Sequence, residues 1–135
     1  LAPTRTPAGD HVAYQAGEIT VLAGDWFATT AAQLGPVDAI YDRAALIALP
    51  PALRPRYAAH LRALAPGAPA LLITIAYPQA AMEGPPFSVD DAEVRALWAD
   101  RTITVLADEP LVQPRLAATG ATGRERCYAI AAGDP

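Results

Sequence analysis

A nearly unbroken apolar run at residues 70–75 constrains this chain more than any other feature. It reads Ala-Leu-Leu-Ile-Thr-Ile with no polar alternation, the pattern of a strand buried on both faces of a parallel sheet. Other strand signals and two helices surround it. Pro50 and Pro51 open the first helix, where a missing N–H costs nothing. Leu53, Tyr57, Leu61 and Leu64 form its apolar stripe, which places Arg54, Arg56 and Arg62 elsewhere on the surface. Pro66 and Gly67 should end it. Ser88, three residues before Asp91, has the form of a capping box for the second helix, with Val94, Leu97 and Trp98 on its apolar side. Residues 37–41, 102–106 and 124–131 read as strands, and 11–15 with 18–23 as a hairpin across Ala16-Gly17. Residues 1–10 read as a loop, and 107–123 as a long connection. Strands alternating with helices imply an α/β fold with a mostly parallel sheet.

Composition narrows the function classes. At 135 residues the chain is one domain at most. With 53% hydrophobic and 18% charged residues it has material for a core and is not a disordered chain. The longest apolar run, 68–76, is too short for a membrane span and is interrupted by Pro69 and Thr74. No secretory signal is visible, so the cytoplasm is the expected compartment. A net charge of −4 with scattered arginines offers nucleic acid no basic face. Cys127 is alone, and His11 and His60 are far apart, so neither a disulfide nor a metal site is expected. All ten basic residues are arginine, which, with abundant alanine, proline and glycine, points to a GC-rich bacterial genome.

In open α/β sheets, ligands bind beyond the carboxyl ends of the strands. Three places qualify: Gly24-Asp25-Trp26-Phe27, Asp42-Arg43, and the loop 77–87. Asp25 can accept a hydrogen bond from an amino group while Trp26 covers a flat ring, a pair suited to adenine. The alternative is an Asp that caps the next short segment and a Trp that packs in the core. Arg43 either projects into the crevice, where its planar fork matches anions, or pairs with Asp42 or Asp38 at the surface. Gly84-Pro85-Pro86-Phe87 either holds Phe87 over a pocket as a rigid apolar wall or is a stiffened connector. Arg115 either closes over a substrate or is solvent-exposed. Cys127 reads as a buried, inert thiol. No nucleophile–base pair is apparent, which favours a reaction that needs none.

Taken together, these motifs resemble the thiopurine S-methyltransferases, class I S-adenosylmethionine-dependent enzymes. The strongest segment, 38–46, reads Asp-Ala-Ile-Tyr-Asp-Arg-Ala-Ala-Leu, similar to the family's D-x-I-[WY]-D-R-[GA]-A-L. Gly84-Pro85-Pro86-Phe87 with Val89 is similar to its GPPF-x-V loop, and 19–27 to its adenine-contacting strand and turn. Ala44 stands where some relatives have glycine. The resemblance implies a Rossmann-like sheet of order 3-2-1-4-5-7-6 with the last strand antiparallel. It implies that Asp25 and Trp26 border the adenine of S-adenosylmethionine, and that Arg43 lies near the methyl donor and the substrate. It implies that Phe87 and Arg115 contact the substrate. The implied reaction is methyl transfer to a heterocyclic thiol, with selenium or tellurium compounds as further acceptors.

The family's glycine-rich cofactor loop and its ribose-binding acid have no counterpart here and belong before Leu1. The chain is therefore expected to be the carboxy-terminal two-thirds of a methyltransferase domain, its amino-terminal strands missing. The strand at 37–41 would then be an apolar edge open to self-association. A non-catalytic binding or dimerising remnant that no longer holds the cofactor is the alternative.

Overall fold

The computed structural model describes residues 2–134, which divide into two compact units, 2–36 and 37–134. The first is an antiparallel meander of β1 (Thr4–Ala8), β2 (His11–Ala16) and β3 (Ile19–Ala23), followed by the short helix α1 (Ala31–Leu34). The hairpin expected across Ala16-Gly17 is β2–β3, with Ala16 opposite Ile19 and Gly17 at φ 59°. Residues 1–10 are not a loop throughout. Thr4–Ala8 pairs along its length with β2, Thr4 opposite Gln15 and Ala8 opposite His11. Pro7 fits there because β1 is an edge strand, with no partner on its other side among the described residues.

The second unit is a four-stranded sheet of order β4-β5-β7-β6, formed by β4 (Ile40–Arg43), β5 (Ala70–Ala76), β6 (Ile103–Pro110) and β7 (Arg124–Ile130). The order matches the 4-5-7-6 end of the implied sheet, and the last strand is antiparallel to both neighbours. The sheet is less parallel than expected. Among the described residues only β4 and β5 pair in parallel, because β7 intervenes between β5 and β6. Similarly, β3 pairs antiparallel in the meander. The apolar run 70–75 lies within β5, where no residue is exposed, as its lack of alternation required.

Helix α2 (Arg54–Leu64) follows a 3-10 turn at Pro51–Leu53 and buries Tyr57, Ala58, Leu61 and Leu64. It also buries Arg54, against the expectation that its arginines lie on the surface. Helix α3 (Asp91–Leu97) is capped by Asp90, whose side chain accepts from Glu93 N, and not by Ser88. The Ser88 Oγ instead accepts from the Tyr77 backbone N–H at 2.9 Å. Strand β6 runs on to Pro110 through a bulge at Leu106, shortening the expected long connection, which also contains α4 (Pro114–Ala117). Cys127 is half-buried and not fully enclosed. No helix is long and apolar enough to cross a membrane.

Candidate functional site

In the first unit the Gly24-Asp25-Trp26 turn is braced by a residue that carried no sequence signal for it. His11 is 3% exposed, and its ring lies so close to Gly24 that a Cβ there would stand 2.3 Å from it. With its proton on Nε2, His11 donates to the Asp25 carbonyl at 2.9 Å, and Nδ1 accepts from the Gln33 amide at 3.2 Å. The Asp25 Oδ1 accepts from Phe27 N at 2.9 Å, capping the 3-10 turn Trp26–Ala28. Asp25 is exposed and Trp26 half-buried. The capping role foreseen for Asp25 thus uses one carboxylate oxygen and leaves Oδ2 without a hydrogen bond among the described residues.

In the second unit, β4 carries Asp42 and Arg43 to opposite faces, as consecutive strand residues must be. Asp42 is 4% exposed. Its Oδ2 accepts from the Tyr57 hydroxyl at 2.8 Å, and its Oδ1 from the backbone N–H groups of Ala45 and Leu46 at 3.2 and 3.3 Å. Burial, then the charge of Asp42, then this hydrogen bond hold the Tyr57 hydroxyl well above its ordinary pKa. Asp42 being so engaged, the surface pairing considered for Arg43 does not form. Arg43 is exposed, with no hydrogen bond or ion pair among the described residues.

The turn beyond Arg43 places Ala44 at φ 75°, the only non-glycine residue with positive φ among those described. A Cβ is disfavoured there by about 1–2 kcal/mol, so glycine would suit this position better than alanine. Ala44→Gly should therefore stabilise the protein by about 1 kcal/mol, since relief of strain outweighs the extra freedom of the unfolded chain. An unchanged or lower urea midpoint would contradict it.

The 82–88 loop has prolines at 85 and 86, which lack N–H groups, and both Gly84–Pro85 and Pro85–Pro86 peptide bonds are cis. Its backbone is held from outside. Tyr77 donates through its hydroxyl to the Pro86 carbonyl at 2.6 Å, and Gln79 donates to the Met82 carbonyl at 2.9 Å and accepts from Ser88 N at 2.9 Å. Phe87 N donates to the Ile47 carbonyl at 2.7 Å. Arg115, on α4, donates to the Glu83 and Pro85 carbonyls at 2.9 and 3.4 Å. The sequence suggested neither Tyr77 nor Gln79. The available signal was a proline-rich segment whose carbonyls need outside donors.

Two hollows of about 380 Å³ each flank this loop. One is lined by Ala44, Ile47, Ala48, Pro85 and Pro86, so it lies between the turn after Arg43 and the two prolines, of which Pro85 is bonded to Arg115. The other is lined by Pro51, Gln79, Ala80, Glu83, Gly84 and Phe87. The structure thus brings Arg115, Pro85 and the turn next to Arg43 together, and sets Phe87 on the other side of the loop. Asp25 and Trp26 belong to the first unit.

The sequence model of the family described as thiopurine S-methyltransferase matches residues 1–132. The chain belongs to the thiopurine S-methyltransferase family. A thiopurine S-methyltransferase of Pseudomonas fluorescens is 50% identical over 97 residues, covering 72% of this chain and 45% of the relative. One of Xanthobacter autotrophicus is 45% identical over 112 residues, covering 82% and 53%. A probable thiopurine S-methyltransferase of Yarrowia lipolytica is 39% identical over 127 residues, covering 94% and 60%. The chain spans about half the length of the curated relatives it matches. In this thiopurine S-methyltransferase family member, Ala44 with Ile47 and Ala48 on one side and Pro85 with Pro86 on the other line one apolar hollow.

Proposed function

We propose that the parent protein is an S-adenosylmethionine-dependent methyltransferase acting on a heterocyclic thiol, and that this chain carries the acceptor side of its site. The carrying observation is the hollow of Ala44, Ile47, Ala48, Pro85 and Pro86, flanked by Arg43, which has no partner among the described residues, and by Arg115, which is bonded to its wall. Both units would belong to one methyltransferase domain, of which this chain is part. Its parallel β4–β5 pair would continue into a larger parallel sheet beyond the open edge of β4, where Tyr41 is exposed. Without that continuation, the edge is a site for self-association.

The first unit fits the adenine of the methyl donor. Asp25 has a spare carboxylate oxygen to accept from an exocyclic amine, and Trp26 stands beside it with an aromatic face. The cofactor, when bound, supplies an electrophilic methyl group on a sulfonium. Methyl transfer to sulfur then needs alignment and exclusion of water more than proton transfer. Arg43 lies near both donor and acceptor in this reading, and its positive charge favours the thiolate over the thiol. Arg115 completes the acceptor contacts, and Phe87, foreseen as a direct contact, supports the proline wall from the other side of the loop. Selenium or tellurium compounds, softer nucleophiles of the same geometry, fall within the same class. The half-buried, unpaired Cys127 is compatible with a reducing compartment such as the cytoplasm, where we place the protein.

Two measurements on the whole protein test this. Calorimetric titration should detect S-adenosylmethionine, and 6-mercaptopurine should be methylated. Arg43→Ala should lower kcat/KM for the thiol by at least about tenfold, while shifting stability by less than about 0.5 kcal/mol because the side chain is exposed. Unchanged turnover in Arg43→Ala contradicts the role given to Arg43.

A further inference from the structure

Arg54 is the most deeply buried charge in the second unit, 1% exposed, yet it lies outside both hollows. Its Nη1 donates to both Glu93 oxygens at 2.9 and 2.7 Å, and its Nε to the Leu49 carbonyl at 3.0 Å. The third nitrogen, Nη2, is buried without a hydrogen-bond partner. The guanidinium carbon sits over the Phe87 ring, 5.9 Å from its centre, within the reach of a cation–π contact. The same ring also lies against Gly84, where an added Cβ would stand 2.3 Å from it. Phe87 is therefore in contact with Arg54 and with the backbone of the loop, while its own N–H is fixed to Ile47.

A buried guanidinium with an unsatisfied nitrogen is a costly way to fill space. Stability alone does not account for it, since an apolar side chain of similar length would pack the same volume without an ion pair. What the arrangement provides is a continuous series of contacts from α3 to the loop. Glu93 on α3 holds Arg54, Arg54 bears on Phe87, and Phe87 bears on Gly84, the residue before the two prolines that wall the hollow of Ala44 and Ile47.

We propose that Arg54 is a positioning residue that sets acceptor specificity, holding Phe87 against Gly84 and so fixing the Pro85–Pro86 wall; this rests on the acceptor site proposed above. Arg54 touches no substrate. Loss of its hold should loosen the wall, weakening acceptor binding and leaving the cofactor side untouched.

The test uses the whole protein with 6-mercaptopurine and S-adenosylmethionine as substrates. Arg54→Met combined with Glu93→Gln removes both charges together and avoids leaving either one unpaired. The double variant should raise KM for 6-mercaptopurine about tenfold, with kcat within about threefold and KM for S-adenosylmethionine within about twofold. Arg54→Lys, which keeps a charge over the ring but loses the fork, should recover part of the loss. In NMR spectra, the ring-current shift of the Gly84 Hα protons should shrink in the double variant. An acceptor KM within about twofold of wild type in a folded double variant overturns the proposal, as does an equal loss for both substrates. Should the double variant not fold, Arg54→Lys decides: a threefold rise in acceptor KM supports the proposal, and none overturns it. A wild-type protein that methylates no thiol overturns the functional reading itself, and is told apart from the other outcomes by the wild-type assay.

Discussion

Asp42→Ala should destabilise the second unit by about 3 kcal/mol, because three buried or half-buried donors lose their acceptor at once. The Tyr57 hydroxyl and the backbone N–H groups of Ala45 and Leu46 all converge on this carboxylate. Leu46 is fully enclosed and Tyr57 is buried, so these two donors are poorly placed to find water instead. Asp42→Asn should cost less, since an amide oxygen still serves the two backbone donors and the tyrosine hydroxyl can turn to accept. Urea unfolding followed by circular dichroism should therefore rank wild type above Asn and Asn above Ala. A difference below about 1 kcal/mol for Ala would show that the turn does not depend on this group.

The same pair has a pH signature. Tyr57 is held above its ordinary value chiefly by burial and then by Asp42. Below about pH 10 the folded and unfolded chains both keep this proton, and the group leaves stability unchanged. Above that, the unfolded chain releases a proton that the folded chain retains, so stability falls as pH rises. Asp42→Ala removes part of the shift, which flattens that decline. The gap between wild type and variant should be constant from pH 7 to about 9 and narrow above about 10.

Leu116→Ala is the second large effect, expected at about 3 kcal/mol, with a cavity left among Ile75, Tyr77 and Met82. Helix α4 has four residues and little hydrogen bonding of its own, so Leu116, 1% exposed, is its anchor. Its loss should be felt first as local opening. Amide exchange at Ala117, Ala118, Thr119 and Gly120 should quicken about a hundredfold, ahead of β5. Arg115 should then lose its grip on the Glu83 and Pro85 carbonyls. Exchange rising equally in β5 and α4 would show instead that the segment opens only with the whole unit.

What was legible in the sequence follows from where the determining contacts lie. The strand at 70–75 and the stripe of Tyr57, Leu61 and Leu64 were readable because burial on a sheet or one helix face leaves a local period. The hairpin was readable because Gly17 supplies a positive φ where the chain reverses. Strand β1 was not, since Thr4–Ala8 carries turn-prone residues and is a strand only by pairing with β2. Arg54 was assigned to the surface because charged side chains usually lie there. It is buried because Glu93, 39 positions later, meets it, and no local pattern reports such a meeting. Asp42 and Tyr57, 15 residues apart, are another such pair. For the candidate site, the motifs marked two of the segments that line the hollows. The side chains that hold the candidate loops, His11, Tyr77 and Gln79, became visible only when the chain was folded.

The order of strands in the second unit also bears on how the chain leaves the ribosome. β7, the latest of the four in sequence, lies between β5 and β6, and β6 has no other partner among the strands. A nascent chain that has emerged only as far as Pro110 holds β6 ready but with nowhere to pair. Sheet closure must wait for residues 124–130, whose pairing with β5 spans some fifty positions, a long and slow contact to make. During that interval β6 is a free edge, and a premature stop before Arg124 would leave both β5 and β6 unpaired on that side, a fragment suited to aggregation or degradation rather than to partial function.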